Sequence, residues 1–472
     1  MSAKNTTKKT LGVFALAMIN VAAVLSLRNF PSMAEYGWSS IGWYLLGTIF
    51  FLIPISLAGA ELATGWPKGG GVYAWVREAF GERLGFLAIW CEWSENLVWF
   101  PTVLSFIAAT FAFAISPALG SNPVYLLIAM MVVFWGVTIL NFYGSRASSI
   151  FGTIGVIAGS IIPTLVLIVM TIFYFTGGNP LQIPFSPKAL LPEINMGTLP
   201  FIATVILLFA GMEMAGYHAL ETRNPKRDFP RAIFLSALVI LVATVIGTLA
   251  ISIVVPASQI NLAAGIMQAI QDFLKVFKLD WLVGPMAVLI AVGAIASLST
   301  WLLGPAKGLG EVAAKGNLPP LFQRDNKYGS PVAVLVIQAV ISSLFAAMFV
   351  LMPSVSSAYW ILSAMTVEVL CIMYVLVFAA VIKLRYSQPD TPRGYTIPGG
   401  KPGLWIIAGA GLLACIFTFI VGFFPPDIIK SHAVRYIVIM VIGTVILAVP
   451  PFIFLWFKKP GWLKPQAKSE AA

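Results

Sequence analysis

The sequence predicts an all-α membrane protein with twelve transmembrane helices, and three observations carry that prediction. The first is composition. Hydrophobic residues make up 59% of the 472-residue chain, charged residues only 10%, and the mean hydropathy is +0.92. A soluble domain carries about 25% charged residues, so this chain has too little polar surface to cover itself in water. The second is run length. Crossing a hydrocarbon core of about 30 Å takes roughly 20 residues of helix, and apolar runs of that length recur from one end of the chain to the other. The third is the lack of alternation. A transmembrane barrel would show segments of about ten residues with alternating polarity. Continuous runs satisfy their own backbone polar groups only as helices.

The runs place spans at 11–33, 39–62, 84–115, 123–143, 148–176, 198–220, 229–254, 281–305, 331–352, 357–384, 404–424 and 434–457. Residues 1–10 are polar and basic (Lys4, Lys8, Lys9) and form an N-terminal tail. The run that follows is too long for a signal peptide and lacks a small-residue cleavage site, so it is read as span 1. Residues 11–457 then form one membrane domain, and residues 458–472 a short C-terminal tail with no soluble regulatory domain. Of the 29 Lys and Arg residues, 23 fall on the side that holds both termini, 5 on the other, and Arg28 lies within a span. The positive-inside bias therefore places both termini in the cytoplasm. It also accounts for the net charge of +11 without a nucleic-acid-binding patch, since the basic residues are spread over many short loops. The longest outer loops are 177–197 and 255–280, the second with an amphipathic stretch, Ile266 to Phe277, that predicts a surface helix.

Several function classes lose support at this point. Cys91, Cys371 and Cys415 lie in apolar segments without paired spacing, which suggests neither a disulfide framework nor a metal site. The histidines are only His218 and His432, and no metal is expected. Gly69-Gly70-Gly71 lacks the lysine and hydroxyl of a nucleotide loop, so neither ATP drive nor another cofactor is indicated. No nucleophile–base pair speaks for a membrane enzyme.

Function in a membrane chain sits where the span pattern fails. Span 1 fails at Ser26-Leu27-Arg28-Asn29-Phe30-Pro31, where a full charge stands in an apolar run and Pro31 removes a backbone donor. Arg28 either snorkels to a span end or pairs with a substrate carboxylate or an internal Glu. Span 6 fails at Phe209-Ala210-Gly211-Met212-Glu213-Met214-Ala215-Gly216-Tyr217-His218. Two glycines flank the carboxylate of Glu213 and ease unwinding. Glu213 faces a cavity, is protonated, or bonds neighbouring backbone, and the first two suit a proton-coupled gate. Spans 1 and 6 occupy corresponding places in two sets of five, and matched broken helices are the best sequence pointer to a central transport site. Half-helix amides suit a carboxylate and freed carbonyls an amine, which together fit an α-amino acid. Glu92 and Glu95, on one face of span 3 beside Trp90, Trp93 and Trp99, either line the pathway or pair with Arg28, and Glu368 in span 10 has the same two readings. Glu61 is expected to pack against a cytoplasmic loop. Trp301, after Ser297, Ser299 and Thr300, either gates the path or packs.

At these residues the chain resembles the amino acid–polyamine–organocation superfamily. Gly211-Met212-Glu213 through Glu221-Thr222-Arg223-Asn224-Pro225-Lys226-Arg227-Asp228-Phe229-Pro230-Arg231-Ala232 looks like its span 6 and following loop. Gly59-Ala60-Glu61-Leu62 and Gly69-Gly70-Gly71-Val72-Tyr73-Ala74-Trp75-Val76 look like its span 2 end and first inner loop. Within it, the chain is similar to the glutamate:GABA antiporter family, through Ile260-Asn261-Leu262-Ala263-Ala264-Gly265-Ile266-Met267-Gln268, Trp301-Leu302-Leu303-Gly304-Pro305-Ala306-Lys307-Gly308, Ile397-Pro398-Gly399-Gly400-Lys401 and Phe424-Pro425-Pro426-Asp427. The resemblance implies a five-plus-five inverted repeat (LeuT-like), with broken helices 1 and 6, repeats near 11–176 and 198–384, and two added spans within 404–457. It also implies amino acid exchange by alternating access. Glu213 matches the family's span 6 glutamate and Trp301 its span 8 gating aromatic. Span 1 differs: Val24-Leu25-Ser26 stands where the superfamily often has Gly-Ser-Gly, and Arg28 where an uncharged aromatic is expected.

The resulting expectation is an antiporter in the cell (inner) membrane, exchanging glutamate- or GABA-like acidic or neutral substrates. Backbone near Leu25, Ser26 and Leu27 holds the carboxylate, carbonyls near Phe209, Ala210 and Gly211 hold the amine, and Arg28 reads the side-chain end. A lone arginine repels cations in a low-dielectric pocket, which disfavours arginine or agmatine. Glu213 and Glu95 serve proton coupling or gating. The partners are substrate, counter-substrate and bilayer, with protons as a further option. The alternatives are a proton-coupled symporter and a non-transporting amino acid sensor.

Overall fold

In a computed structural model the chain is described at residues 11–67, 71–143, 155, 157–192, 194–195, 197–212, 222–426 and 433–463. Helices dominate. The described residues contain no strand, only a single bridge between Leu11 and Thr222. Ten helices among them are long and apolar enough to cross a membrane. In chain order the main helices are α1 (Val13–Val24), α2 (Gly37–Gly65), α3 (Gly71–Phe80), α4 (Glu82–Ile115), α5 (Pro123–Asn141), α6 (Ala158–Thr176), α7 (Ile202–Phe209), α8 (Pro225–Val254), α9 (Gly265–Val276), α10 (Val283–Ala314), α11 (Val332–Ala346), α12 (Val355–Ser387), α13 (Gly400–Val421) and α14 (Ala433–Ala448). The chain is a multi-pass membrane protein.

Burial sorts these helices into centre and rim. The most apolar windows of α4 and α12 are 78% buried, against 28% for α5 and 22% for the segment Ala433–Trp456. Accordingly α4 packs against α10, α12, α11 and α3, and forms the centre of the bundle. Rim helices leave large apolar side chains such as Val434, Ile446 and Trp456 exposed. An apolar surface of that extent is what lipid, not water, covers.

Four of these helices, α1, α3, α7 and α9, lie outside the ten, and two of them fall between the expected spans. The amphipathic stretch expected near Ile266–Phe277 is α9, with Ile266, Met267, Ala269, Ile270, Phe273 and Leu274 turned inward. Helix α3 falls where the sequence reading has an inner loop. It is too short to span, yet it buries Val72, Tyr73, Trp75, Val76 and Ala79. Its apolar stripe is a packing face against α4 and α12, a signal weaker than a full-length apolar run.

The regions expected as spans 1 and 6 are not continuous helices. Helix α1 stops at Val24 and α7 at Phe209, each well short of a bilayer's thickness.

Candidate functional site

Pro31 dictates how span 1 breaks. Its ring would crowd the carbonyl of Leu27, and it has no N–H to donate, so an α-helix through both is disfavoured. Leu25 (ψ 112°) and Ser26 (ψ 122°) are extended. A 3-10 turn over Leu27–Asn29 follows, and Pro31 enters the first turn of a new short helix, Pro31–Ala34, where a missing N–H costs nothing. The freed carbonyl of Arg28 accepts the Tyr359 hydroxyl of α12 at 3.1 Å. Irregular backbone at membrane depth needs such a protein partner.

Span 6 breaks through glycine. Ala210 is extended (ψ 144°), and Gly211 takes φ +104°, where an L side chain is strained. The Gly211 N–H donates to the Tyr374 hydroxyl at 3.2 Å. A Cβ on Gly211 would lie 3.5 Å from the Ala23 carbonyl oxygen, so the two interruptions are neighbours. The space admits a methyl group, and backbone strain alone, about 1–3 kcal/mol, opposes it. Gly211→Ala is therefore expected to lower the midpoint of thermal unfolding in detergent. An unchanged midpoint would show that the break does not need this backbone geometry.

A cavity of about 90 Å³ opens at this junction. Leu25, Ser26, Leu27, Arg28, Ala210, Gly211, Glu95 and Trp301, all singled out from the sequence, line it. Phe209 is not among the lining residues, and its ring is buried edge-on against Tyr44. Glu92 joins Glu95 on the wall, which fits the pathway reading of both, and the Asn96 amide donates to Glu95 Oε1 at 2.7 Å. Trp301 packs against Trp99 at 5.7 Å between ring centroids. Ser297 lines the cavity, whereas Ser299 accepts from Asn141 and is buried elsewhere. Glu368 lines no part of it. Glu213 lies outside the described residues, as does His218.

Arg28 dominates the electrostatics. It is 2% exposed, which removes the snorkelling reading, since a snorkelling head stays in water. One terminal nitrogen, Nη1, donates to Thr102 Oγ1 at 2.7 Å and Tyr359 Oη at 3.2 Å. The guanidinium carbon sits 5.3 Å from the Trp99 ring centre and 5.8 Å from that of Tyr359, within cation–π range. Hydroxyls and aromatic faces orient the fork but supply no negative charge. Among the described residues no carboxylate reaches ion-pair distance of it, and Nε is unbonded. Sequence reasoning missed Thr102, Tyr359 and Tyr374, which sit far along the chain on α4 and α12 and carry no local signal. No group of His, Cys, Asp and Glu suited to a metal occurs among the described residues.

At one end of the bundle a second charged cluster pins the segment between α12 and α13. Glu61 of α2 is fully buried and receives Arg385 in a two-pronged bond, Nε at 2.6 Å on Oε1 and Nη2 on Oε2. Arg393 approaches Oε1 at 3.4 Å and stacks over Trp66, and the Ile397 N–H donates to Oε2 at 2.8 Å. This agrees with the packing role expected of Glu61. Burial lowers the Arg393 pKa while Glu61 opposes that shift. Burial, then Glu61, pushes the Tyr395 phenol up to about 12.

Comparison with known proteins gives a consistent result. A family model described as amino acid permease matches residues 11–447. An uncharacterised transporter of Legionella pneumophila is 44% identical over 446 residues, covering 94% of this chain and 96% of that protein. A glutamate/gamma-aminobutyrate antiporter of Lactococcus lactis subsp. lactis is 31% identical over 454 residues, covering 94% of this chain and 90% of the relative. The protein of the same name from subsp. cremoris is 32% identical over the same length.

Proposed function

The chain belongs to the amino acid permease family, and from that premise we propose that it exchanges glutamate- or GABA-like amino acids across the cell membrane by alternating access. The observation that carries the substrate class is Arg28: a buried cation on the cavity wall, oriented by Thr102 and Tyr359, with no carboxylate of the described residues in contact. A buried charge without a counter-ion is costly, and a substrate carboxylate in the cavity supplies one. The names of the Lactococcus lactis relatives support the same class.

In this reading the ten long helices and the two interrupted segments make twelve spans, built as a five-plus-five inverted repeat with two added helices and cytoplasmic termini. Backbone at Leu25–Leu27 and at Ala210–Gly211 holds the polar ends of the substrate. Trp301, packed at a tilt against Trp99, closes the cavity on one side. Glu213 and Glu95 take part in coupling or gating.

A counterflow experiment tests the proposal. Purified protein in liposomes loaded with unlabelled glutamate should accumulate labelled glutamate or GABA, and empty liposomes should not. Exchange confined to arginine, lysine or polyamines would refute the Arg28 argument. Uptake without internal substrate would refute antiport.

A further inference from the structure

Among the described residues, one buried acid outside the exchange site has no polar partner. Glu368, midway along α12, is fully buried, and neither carboxyl oxygen has a hydrogen-bond partner among the described residues. It does not face the cavity. Glu368 and Tyr359 are nine residues apart, two and a half turns, which puts them on opposite sides of the helix. Tyr359 bonds Arg28, and Leu370, Met373 and Tyr374 line the cavity, so Glu368 occupies the back of α12.

That back face lies against α13 and α14. Gly422, just past the end of α13, meets the carboxyl so closely that a Cβ there would fall 1.8 Å from Oε1. Tyr436 of α14 donates its hydroxyl to the Gly422 carbonyl at 2.6 Å. Among the described residues the titratable groups next to Glu368 are Cys371 on its own helix and Tyr436. From α13 comes Cys415, which bonds Cys371. The apolar helix α7 brings no titratable side chain, and α3, with Tyr73, Arg77 and Glu78, meets α12 near Lys383 and Gln388, roughly 22 Å or more further along at 1.5 Å per residue. The acids of α4 line the cavity on the other side, and Glu61 of α2 is engaged with Arg385, roughly 25 Å further along α12 at 1.5 Å per residue. Among the described residues no cation therefore stands by to balance a charge on Glu368.

A carboxylate buried without a donor or counter-ion among the described residues is far less stable there than the neutral acid. The same contact holds a second unmet group. Thr418 precedes Gly422 by one turn on the same face of α13, and its buried hydroxyl has no hydrogen-bond partner among the described residues. A well-packed apolar side chain would leave fewer polar groups unpaired. The pair is understandable as one half of a two-state contact, in which a small slide of α12 along α13 brings hydroxyl and carboxyl together.

We propose that Glu368 is a proton-binding site of the transport cycle, separate from the substrate cavity, occupied by a proton in this conformation and emptied when α12 shifts against α13 and α14. One helix carries Tyr359, which holds Arg28, on its front and Glu368 on its back. Substrate occupancy and proton occupancy then bias the same element, and that coupling is reciprocal. The assignment holds whichever amino acid fills the cavity.

Infrared difference spectroscopy on the full chain in liposomes reads the proton directly. At neutral pH the wild-type protein should show a carboxylic acid C=O band that Glu368→Gln lacks, and the band should change on adding glutamate to exchanging liposomes. In counterflow from acid to alkaline pH, wild-type exchange should change by about tenfold per pH unit along the limiting limb of a one-proton profile, while Glu368→Gln should be flat. Thr418→Val gives a second test that keeps the acid. Without the hydroxyl that receives the carboxylate, the profile should move toward alkaline pH. Absence of a Glu368-dependent acid band at neutral pH, a Glu368→Gln profile with the wild-type slope, or an unmoved Thr418→Val profile would each overturn the assignment.

Discussion

Replacing Arg28 with Gln should reduce exchange of glutamate at subsaturating concentration by about 100-fold or more. The size follows from the setting. Truncating one partner of a buried, hydrogen-bonded charge pair costs about 2–5 kcal/mol, and each 1.4 kcal/mol is about a factor of ten. Fold stability should move the other way or not at all. The substitution removes a buried charge that hydroxyls and rings orient but no carboxylate neutralises among the described residues, so nothing charged is left stranded. The measurement that separates the two effects is a thermal melt with and without substrate. Ligand at 100 times Kd stabilises by about 2.7 kcal/mol; wild type should show such a shift and Arg28→Gln should not. Arg28→Lys should be intermediate, since it keeps the charge but loses the planar fork that reaches Thr102, Tyr359 and a carboxylate together. A substrate-dependent shift of wild-type size in Arg28→Gln would remove Arg28 from the site.

The second large effect falls on stability. Glu61→Gln should destabilise the protein by about 3–5 kcal/mol, the usual loss when one partner of a buried ion pair is removed. Gln keeps the volume and one acceptor, so packing is not the cause. What changes is that Arg385, with a side chain 10% exposed, and Arg393, 6% exposed, lose their only carboxylate among the described residues. The Ile397 N–H loses a charged acceptor in the same step. The midpoint of thermal unfolding should fall clearly below that of wild type, and limited proteolysis should cut first between residues 388 and 399, the segment the cluster pins. A melt unchanged by Glu61→Gln would mean that this end of the bundle is held by packing alone.

Much of this architecture is legible one segment at a time. An apolar run either can or cannot cross a bilayer, and every such run after span 1 and outside span 6 overlaps a long helix, although the helix described for 148–176 begins at Ala158 and that for 281–305 runs on to Ala314. The two failures of the pattern are also local. Pro31 disfavours a continuous helix, and Gly211 permits a backbone angle that other residues resist. Both therefore marked the cavity before any contact was known. Helix α3 was not legible in the same way, because a ten-residue amphipathic stripe does not declare what it packs against. Nor were Thr102, Tyr359 and Tyr374, single hydroxyls on apolar helices whose meaning depends on partners as far as 331 residues away along the chain.

The acids show the division most clearly. From sequence alone, Glu92, Glu95 and Glu368 are equivalent: carboxyl groups in apolar runs, each costly in lipid. The tertiary structure puts the first two on the cavity wall and turns the third to the opposite face of α12, against Gly422. Sequence by itself determined that the chain lies in a membrane, that its spans are helical, and where two of them break, because hydrophobic length and backbone sterics are properties of a segment. Only the tertiary structure decided which polar groups share a cavity and which are sealed between helices. Rotation and packing of whole helices set the distance between charges, and no run of residues contains that information.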